Sequence, residues 1–221
     1  MDNSLQKLAS QLRCPEGDAG KVLGNAMNMR NLPVILNGIS NLKLNDGHHI
    51  LELGYGNGGL LGYILSLADN LRYTGLEISP LMHQEASAFN HAYIQAGWAA
   101  YHLYDGVTLP LGEAIFDKVL TINTIYFWQE PTLLLQNICR TLKVGGHFCI
   151  TFCERSFMEK LPFIEHGFQL YNTPEVNALM HGLPLKLIAE DRKKDKSISK
   201  TGEIVDREFI SLVFERTEAS F

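Results

Sequence analysis

Apolar and polar positions follow two spacings that alternate along the chain from residue 49 onward. Short apolar runs bounded by glycine, proline or asparagine predict β-strands, and runs without strict alternation are typical of parallel strands buried on both faces. Stretches with apolar residues three and four positions apart predict amphipathic helices. The predicted strands span residues 49–53, 72–78, 99–104, 116–122, 147–152, 185–190 and 206–215. The predicted helices that alternate with them span residues 60–68, 80–95 and 131–142.

This order of elements predicts an α/β fold with a doubly wound, mostly parallel seven-stranded sheet. The polar stretch of residues 191–203 joins the last two strands, so we expect a hairpin that makes the C-terminal strand antiparallel. Helical patterns over residues 5–12, 20–27 and 32–42 predict an N-terminal helical arm within residues 1–45. We expect residues 1–221 to form a single domain, since this length suits one large core.

Charge and composition narrow the classes of function. The formal net charge is −5 and the pI is about 5.9, which argues against a nucleic-acid-binding surface and its usual basic excess. Asp191 and Asp195 interrupt the densest basic stretch, which includes Lys196 and Lys200, and we therefore predict a solvated turn over residues 192–200. No apolar run approaches the ~20 residues that span a bilayer, and residues 1–4 lack the pattern of a secretory signal. We predict a cytoplasmic monomer or homodimer without a nucleic-acid or membrane partner.

The four cysteines, Cys14, Cys139, Cys149 and Cys153, are too few for a disulfide framework in a chain of this length. His147 shares odd numbering with Cys149 and Cys153 on one predicted strand, which places the three on the same face. Because no fourth ligand is apparent and strands are stiff, we interpret these residues as core residues and predict no metal site.

Residues 50–59 carry the strongest chemical signal, since an apolar strand runs there into a glycine turn and then a helix. Glycines at such a turn let the backbone approach a ligand without a Cβ in the way. Gly54, Gly56 and Gly59 fit the spacing G-x-G-x-x-G, and Glu77 lies near the end of the next predicted strand. This spacing fits the dinucleotide-binding fingerprint, so an NAD(P)-binding oxidoreductase is one interpretation.

Glu52 argues for a different ligand, because it lies two residues before the first glycine in an otherwise apolar strand end. A carboxylate there is expected to be partly buried and needs a partner. A cationic ligand suits it, whereas a nearby pyrophosphate would repel it. The chain also lacks the Tyr-x-x-x-Lys pair of a short-chain dehydrogenase. We therefore keep the oxidoreductase as the alternative.

Five segments in order resemble the class I, Rossmann-like methyltransferases, especially the small bacterial type 11 group. Residues 51–58 are similar to the family's first motif, and residues 73–82 to its second, where an acid ends the second strand and holds the ribose hydroxyls. Residues 105–106 resemble its adenine-side acid, and residues 116–128 its fourth strand and the loop that faces the substrate. Residues 142–146 resemble the turn before its fifth strand, with Val144 where proline is usual. The resemblance covers most of the chain.

The resemblance implies S-adenosylmethionine as cofactor, S-adenosylhomocysteine as product and a small-molecule methyl acceptor. The cofactor-binding residues that it implies are Glu52, Gly54, Tyr55, Gly56, Asn57, Gly58, Glu77, Ile78, Ser79, Met82, Asp105, Gly106, Asn123 and Thr124. The implied substrate-pocket residues are the consecutive aromatics Tyr126, Phe127 and Trp128. In an extended chain they cannot all face inward, so at least one is expected at the pocket mouth. Residues 14–17 and 27–31 resemble the group's cofactor-covering arm, although Asn28 and Asn31 are equally typical of a helix end.

Few catalytic side chains are expected, because a sulfonium already activates its methyl group and the protein mainly aligns the reactants and excludes water. We assign no catalytic residue. A general base is needed only if the nucleophile must lose a proton, and His83, His102 and Glu154 are candidates with ordinary packing or surface explanations. Residues 157–168 are predicted to form a lid on the substrate side. A protein that binds S-adenosylmethionine without transferring its methyl group is a second alternative.

Overall fold

The computed structural model describes residues 3–198 and 203–218. One sheet contains the strands β1 (His49–Leu53), β2 (Arg72–Glu77), β3 (Ala99–Leu103), β4 (Phe116–Ile122), β5 (Leu142–Cys153), β6 (Leu185–Ile198) and β7 (Ile204–Arg216). The helices in this part of the chain are α1 (Asn3–Arg13), α2 (Gly17–Leu42), α3 (Leu61–Leu65), α4 (Pro80–Phe89), α5 (His91–Gln95), α6 (Pro131–Thr141), α7 (Arg155–Met158) and α8 (Thr173–Leu179). A short 3-10 helix, Ile125–Phe127, follows β4.

The strand order is β3-β2-β1-β4-β5-β7-β6. Strand β7 is antiparallel to both its neighbours, and the pairs among β1 to β5 are parallel. The order reverses between β1 and β4, so the loops after these strands open a crevice at their carboxyl ends. The structure confirms the predicted doubly wound, mostly parallel seven-stranded sheet with an antiparallel C-terminal strand and N-terminal helices.

Apolar side chains cover both faces of the central strands, which explains their continuous apolar runs. On β4, Val119 belongs to the cluster that includes residues of α6, and the adjacent Leu120 belongs to the cluster that includes residues of α2. Both side chains are fully buried. Successive residues of one strand therefore pack helices onto opposite faces of the sheet.

The two helices predicted over residues 20–27 and 32–42 are one continuous helix, α2, which passes through Pro33. Proline removes a backbone hydrogen bond and usually kinks or ends a helix. Here the second half of α2 packs tightly on the sheet, since a Cβ on Gly38 would lie 2.8 Å from Thr151 Oγ1. Tertiary packing therefore outweighs the local break. No helix within residues 3–198 and 203–218, α2 included, combines the length and the apolar character of a membrane span.

The single helix predicted over residues 80–95 is two helices, α4 and α5, which meet at Asn90. The buried Asn90 amide donates to the Gly58 carbonyl oxygen at 2.9 Å and to the Tyr101 hydroxyl oxygen at 3.0 Å. These bonds tie the break between the helices to the glycine loop. At the start of α4, Ser79 caps the helix by accepting from the Met82 amide at 3.2 Å.

Strands β6 and β7 pair from Leu185 opposite Arg216 to Ile198 opposite Ile204, which is longer than predicted. The prediction of a solvated turn is wrong for residues 192–198, which lie in β6, and Lys200 falls outside the described residues. Charged residues can occupy these strands because they pair across them. Lys196 binds Asp206 at 2.9 Å, and Arg207 binds Asp195 at 2.5 Å.

Residues 142–146, expected as a turn, are instead the beginning of β5. The register between β4 and β5 shifts between Phe116 and Lys118, so this end of the strand is irregular. Gly145 has a φ of +76°, a conformation that favours glycine. The glycines therefore produce an irregularity within a strand, not a turn before it.

Candidate functional site

Two cavities adjoin at the carboxyl ends of β1, β2, β4 and β5, where the strand order opens the crevice. The first, of about 170 Å³, is called here the glycine-loop cavity because Gly54 and Gly56 line it together with Glu52 and Glu77. The second, of about 160 Å³, is called the aromatic cavity because Tyr126 and several phenylalanines line it. The two cavities share walls formed by Leu12, Met27, Asn31, Asn123 and Phe127.

The glycine loop after β1 is held against β2 and against the segment after β4. The Gly54 amide donates to the Leu76 carbonyl oxygen at 2.8 Å. Gly54 has a φ of +76°, and a Cβ on it would lie 2.5 Å from Thr124 Cγ2, so a larger residue does not fit. Gly56 has a φ of +59°, but nothing lies within 4 Å of the position of its Cβ. Gly56 therefore borders open space that a ligand can approach.

Glu77 lies at the end of β2 with a relative exposure of 5%. Its carboxylate accepts hydrogen bonds from the amides of Gly56 at 3.0 Å, Ile78 at 2.8 Å and Ser79 at 3.0 Å. Burial raises the pKa of Glu77, while these three amides act in the opposite direction because they stabilise the carboxylate. Glu77 thus holds the glycine loop to β2 and also borders the cavity.

Glu52 lies near the end of β1 and borders the same cavity. The carboxyl group of Glu52 has a hydrogen-bond partner within the protein, because the Tyr73 hydroxyl donates to Glu52 Oε2 at 2.6 Å. Burial raises the pKa of Glu52 to about 7, and the hydrogen bond from Tyr73 limits this rise. Two carboxyl groups beside one cavity favour a ligand that carries positive charge and hydroxyl donors.

Helix α2 and the segment before it close one side of the glycine-loop cavity. The Asn28 amide donates to Asn57 Oδ1, and the Asn57 amide donates to Asn25 Oδ1 at 2.8 Å. The buried Ser79 hydroxyl donates to the Pro15 carbonyl oxygen at 2.6 Å. Both predicted arm segments therefore lie directly against the glycine loop or the start of α4.

Most of the predicted cofactor-binding residues meet in this cavity. Its wall includes Glu52, Gly54, Tyr55, Gly56, Glu77, Ile78, Met82, Gly106, Asn123 and Thr124. Asn57, Gly58 and Ser79 do not line it, although each contacts a neighbouring element that does. Asn57 bonds to α2, Ser79 caps α4, and a Cβ on Gly58 would lie 2.7 Å from Asn90 Nδ2.

Asp105 also lies outside the cavity wall, after β3. Its side chain is exposed and accepts from the amides of Thr108 at 2.6 Å and Val107 at 2.8 Å. These hydrogen bonds lower the pKa of Asp105. Asp105 shapes the loop that brings its neighbours Tyr104 and Gly106 to the cavity.

The three aromatic residues after β4 are not extended, contrary to expectation, because a 3-10 turn occupies residues 125–127. This turn sends the side chains to different places. Trp128 lines the glycine-loop cavity and donates through Nε1 to Thr124 Oγ1 at 3.1 Å. Tyr126 lines the aromatic cavity, where its hydroxyl donates to the Cys153 carbonyl oxygen at 3.0 Å and accepts from the Cys153 amide at 2.6 Å. Phe127 lines both cavities.

The segment predicted as a lid supplies five apolar residues to the wall of the aromatic cavity. Its lining residues are Phe157, Met158, Leu161, Phe163 and Phe168. The ring of Phe168 lies 4.7 Å from that of Phe127, 5.4 Å from that of Phe163 and 6.1 Å from that of Tyr126. The end of the β6–β7 pair contributes another part of the wall through Ser197, Ile198, Val205 and Arg207.

None of the three candidate bases is among the described residues that line either cavity. His83 Nδ1 shares a hydrogen bond of 2.9 Å with the Tyr55 hydroxyl. His102 is exposed on the edge strand β3. Glu154 forms an ion pair with Arg192 at 2.5 Å. Each candidate thus has the packing or surface role that its position suggested.

Within the described residues, no group of three or more His, Cys, Asp and Glu side chains is placed to hold a metal ion. The Lys118 ammonium donates to His147 Nδ1 at 2.9 Å. Cys149 and Cys153 belong to different apolar clusters. The three residues that share odd numbering on β5 therefore do not converge.

Several wall residues were not predicted from the sequence. Leu12, Arg13, Ile35, Tyr104 and Ile122 line the glycine-loop cavity, and Arg207 lines the aromatic cavity. Leu12 and Ile35 carry no local signal, since they resemble other apolar residues of an amphipathic helix. Arg207 carries none either, because its burial and its bond to Asn31 depend on how β7 packs against α2.

Comparison with known proteins agrees with this geometry. Residues 51–150 match the model of the family described as a methyltransferase domain. The chain is 30% identical over 109 residues to the O-methyltransferase resE of Aspergillus sclerotiorum, and the alignment covers 49% of this chain and 41% of that protein. This chain is similar to methyltransferases over residues 51–150, a little under half of its length. It spans about two fifths of the length of the first curated relatives that it matches.

Solved structures share the methyltransferase fold. A chain of the complex between the Haloferax volcanii Trm112 methyltransferase activator and a methyltransferase superposes with a TM-score of 0.77 at 19% identity, covering 92% of this chain and 97% of that one. A SAM dependent methyltransferase from Aquifex aeolicus superposes with a TM-score of 0.65 at 14% identity, covering 96% and 98%. The methyltransferase fold therefore includes the helical arm and the β6–β7 pair.

Proposed function

We propose that this protein is a methyltransferase that binds S-adenosylmethionine in the glycine-loop cavity and transfers its methyl group to an oxygen atom of an apolar small molecule in the aromatic cavity. S-adenosylhomocysteine is the product. The observation that carries the proposal is the junction of the two cavities, which share Asn31, Asn123 and Phe127 as walls. A methyl group held at that junction faces both its donor and its acceptor.

The residues of the glycine-loop cavity fit this cofactor. Glu77, at the end of β2, suits the ribose hydroxyls as a hydrogen-bond acceptor. Glu52 suits the positive charge of the amino-acid part. The open space beside Gly56 admits a ligand close to the backbone. Asn123, Thr124 and Trp128 form the wall toward β4. A pyrophosphate beside Glu52 would be repelled, which disfavours a dinucleotide.

The cofactor supplies an electrophilic methyl group on a sulfonium. The protein's own residues then have to orient the acceptor and exclude water. Helix α2 covers the glycine loop through Asn25 and Asn28, and Ser79 fastens the segment before it through Pro15. The rings around Phe168 surround the acceptor with apolar surface. This division of work agrees with an aromatic cavity whose described wall contains no Asp, Glu or His.

An oxygen acceptor is proposed because curated relatives are O-methyltransferases. A small acceptor is proposed because the aromatic cavity is small and mostly apolar, and because the acidic net charge of −5 disfavours a nucleic acid. Phe127 lines both cavities, and Trp128 lines the glycine-loop cavity beside it.

Calorimetry with S-adenosylmethionine, S-adenosylhomocysteine, NAD and NADP tests the cofactor. We expect binding of the first two alone, and preferential binding of a dinucleotide would contradict the proposal. Transfer of label from methyl-labelled S-adenosylmethionine to extracted small molecules tests catalysis. Binding without transfer to any small-molecule fraction would support a non-catalytic binding protein instead.

A further inference from the structure

The aromatic cavity has an apolar wall and a cationic wall. Arg30 and Arg207 line it, and no Asp, Glu or His is among its described lining residues. Arg207 is only 5% exposed, and it binds the Asp195 carboxylate through Nε at 2.9 Å and Nη2 at 2.5 Å. Its Nη1 donates to Asn31 Oδ1 at 3.0 Å. Because Asn31 lines both cavities, the cationic wall lies beside their junction.

Asp195 balances the charge of Arg207, whereas no carboxylate of the described residues forms an ion pair with Arg30. Among the described lining residues, Arg30 therefore contributes a positive charge that no carboxylate balances. A half-buried cation beside an apolar surface favours a ligand with an anionic end and an apolar body.

The described wall also lacks a group that could remove a proton from the acceptor. The Tyr126 hydroxyl already donates to and accepts from the Cys153 backbone, and burial raises the pKa of Tyr126 well above its usual range. Burial raises the pKa of the Cys153 thiol to about 12. A general base must lie within hydrogen-bonding reach of the proton that it removes. An acceptor that arrives already ionised needs none.

We propose that the acceptor is an apolar organic acid that enters the aromatic cavity as its anion. Its acidic oxygen lies at the junction beside Arg30 and Asn31, and its apolar body lies among the rings around Phe168. This inference rests on the proposed function.

Methyl transfer to an anionic oxygen needs no proton transfer. The acidic oxygen of the acceptor forms a bond to the methyl carbon as the bond from that carbon to sulfur breaks, and the electron pair of the broken bond stays on sulfur. One negative and one positive charge disappear together, so the products are an uncharged ester or ether and a thioether.

Matched pairs of acceptors test the charge requirement. Decanoic acid is compared with 1-decanol, and 2-naphthoic acid with 2-naphthylmethanol, each with methyl-labelled S-adenosylmethionine. We expect label on the acids and at least a hundredfold lower kcat/KM for the alcohols. With S-adenosylmethionine saturating at every pH, we also expect kcat/KM for the acids to stay level from about pH 6 to 9, because no group in the described wall of the aromatic cavity has to ionise. Calorimetry of each compound with the protein saturated by S-adenosylhomocysteine gives a readout that does not depend on turnover, and only the acids should bind.

A substitution tests the cation. Arg30→Gln should raise KM for the acids at least tenfold and leave the affinity for S-adenosylmethionine unchanged. Arg72→Gln, an exposed arginine at the start of β2, is the matched control and should change neither. The inference would be overturned by equal labelling of the alcohols, by no labelling of either acid, or by an unchanged KM in Arg30→Gln. In each of these cases the proposed function would still stand if the protein binds S-adenosylmethionine. Loss of cofactor binding in the unsubstituted protein would remove both.

Discussion

The glycine-loop cavity and the aromatic cavity lie side by side but are built in different ways. The first contains two carboxyl groups, and the ends of β1, β2 and β4 together with the N-terminal helical arm provide most of its wall. The second is apolar with two arginines, and its wall comes from α1 and α2, from residues 123–168 and from the far end of the β6–β7 pair. A site at the ends of adjacent parallel strands is fixed by the sheet itself. A site made from remote segments depends on how the whole chain packs.

This difference explains why the sequence predicts the residues of the glycine-loop cavity better than those of the aromatic cavity. The glycine spacing and the acids at two strand ends predict a nucleoside-type cavity, because each residue follows its strand by a fixed number of positions. The aromatic triplet and residues 157–168 predict where the second cavity lies. The contribution of Arg207 does not follow from local spacing, because its partner Asn31 is 176 positions away. The predicted turn at residues 192–198 is wrong for a related reason, since cross-strand ion pairs make a charged segment a good strand.

The largest expected effect is on the glycine loop. Gly56→Val places a branched side chain at a φ of +59° in space that we assign to the cofactor, so we expect at least a hundredfold loss of S-adenosylmethionine affinity by calorimetry. Gly47→Val is the matched control, because Gly47 has a φ of +76° and open space around its Cβ on a turn before β1. Equal loss in both variants would mean that backbone strain, not the cavity, is responsible.

A smaller loss is expected at Glu77. Glu77→Gln replaces one carboxylate oxygen with a donor, which then faces an amide, and it weakens any bond to the ribose hydroxyls. Loss of charge-assisted hydrogen bonds costs about 1.5–3 kcal/mol, so affinity for S-adenosylmethionine should fall roughly 10- to 150-fold. Glu85→Gln, which removes only the ion pair with Lys21, is the control. Unchanged calorimetric affinity of Glu77→Gln would refute the assignment.

A substitution in the aromatic cavity should affect the acceptor and not the cofactor. Phe168→Ala removes a ring that contacts three others, and we expect KM for the acceptor to rise about tenfold while S-adenosylmethionine affinity stays unchanged. Phe89→Ala, whose ring is 73% exposed on α4, serves as the control. Steady-state kinetics with an acceptor that the protein methylates measure the change in KM. Calorimetry with S-adenosylmethionine measures the affinity for the cofactor. A parallel loss of cofactor affinity would show that the cavities do not act independently.

Glu52 gives the glycine-loop cavity a pH dependence that the aromatic cavity lacks. Its pKa of about 7 lies above the usual carboxyl value, so in the free protein the group takes up a proton as the pH falls below 7. A cationic ligand favours the ionised form. Affinity for S-adenosylmethionine should therefore rise about tenfold between pH 6 and 8, and proton release should accompany binding at pH 6. Because the pKa of Glu52 is higher in the folded protein than the usual 4.5, the folded state binds the proton more tightly than the unfolded state. Glu52 therefore contributes most to the free energy of unfolding at low pH, and this contribution falls as the pH rises from about 4.5 to 7.

Glu52→Gln tests this linkage, since a glutamine cannot titrate. Calorimetry from pH 6 to 8 should show a nearly constant affinity of the variant for S-adenosylmethionine. Calorimetry at pH 6 in buffers with different ionisation enthalpies should show little proton release when the variant binds this ligand. A slope equal to that of the unsubstituted protein would assign the titration to another group.

The hydrogen bond between Arg207 and Asn31 also has a consequence for how the site assembles. The bonds that hold the glycine loop, such as that from Gly56 to Glu77, close segments of about twenty residues. The Arg207 bond closes a segment of 176 residues, and the bond from Asn37 to Ser211 beside it closes one of 174. Closing a longer segment costs more chain entropy and slows the search for the contact. We therefore expect the Arg207 wall of the aromatic cavity to be the part of the site that the chain completes last.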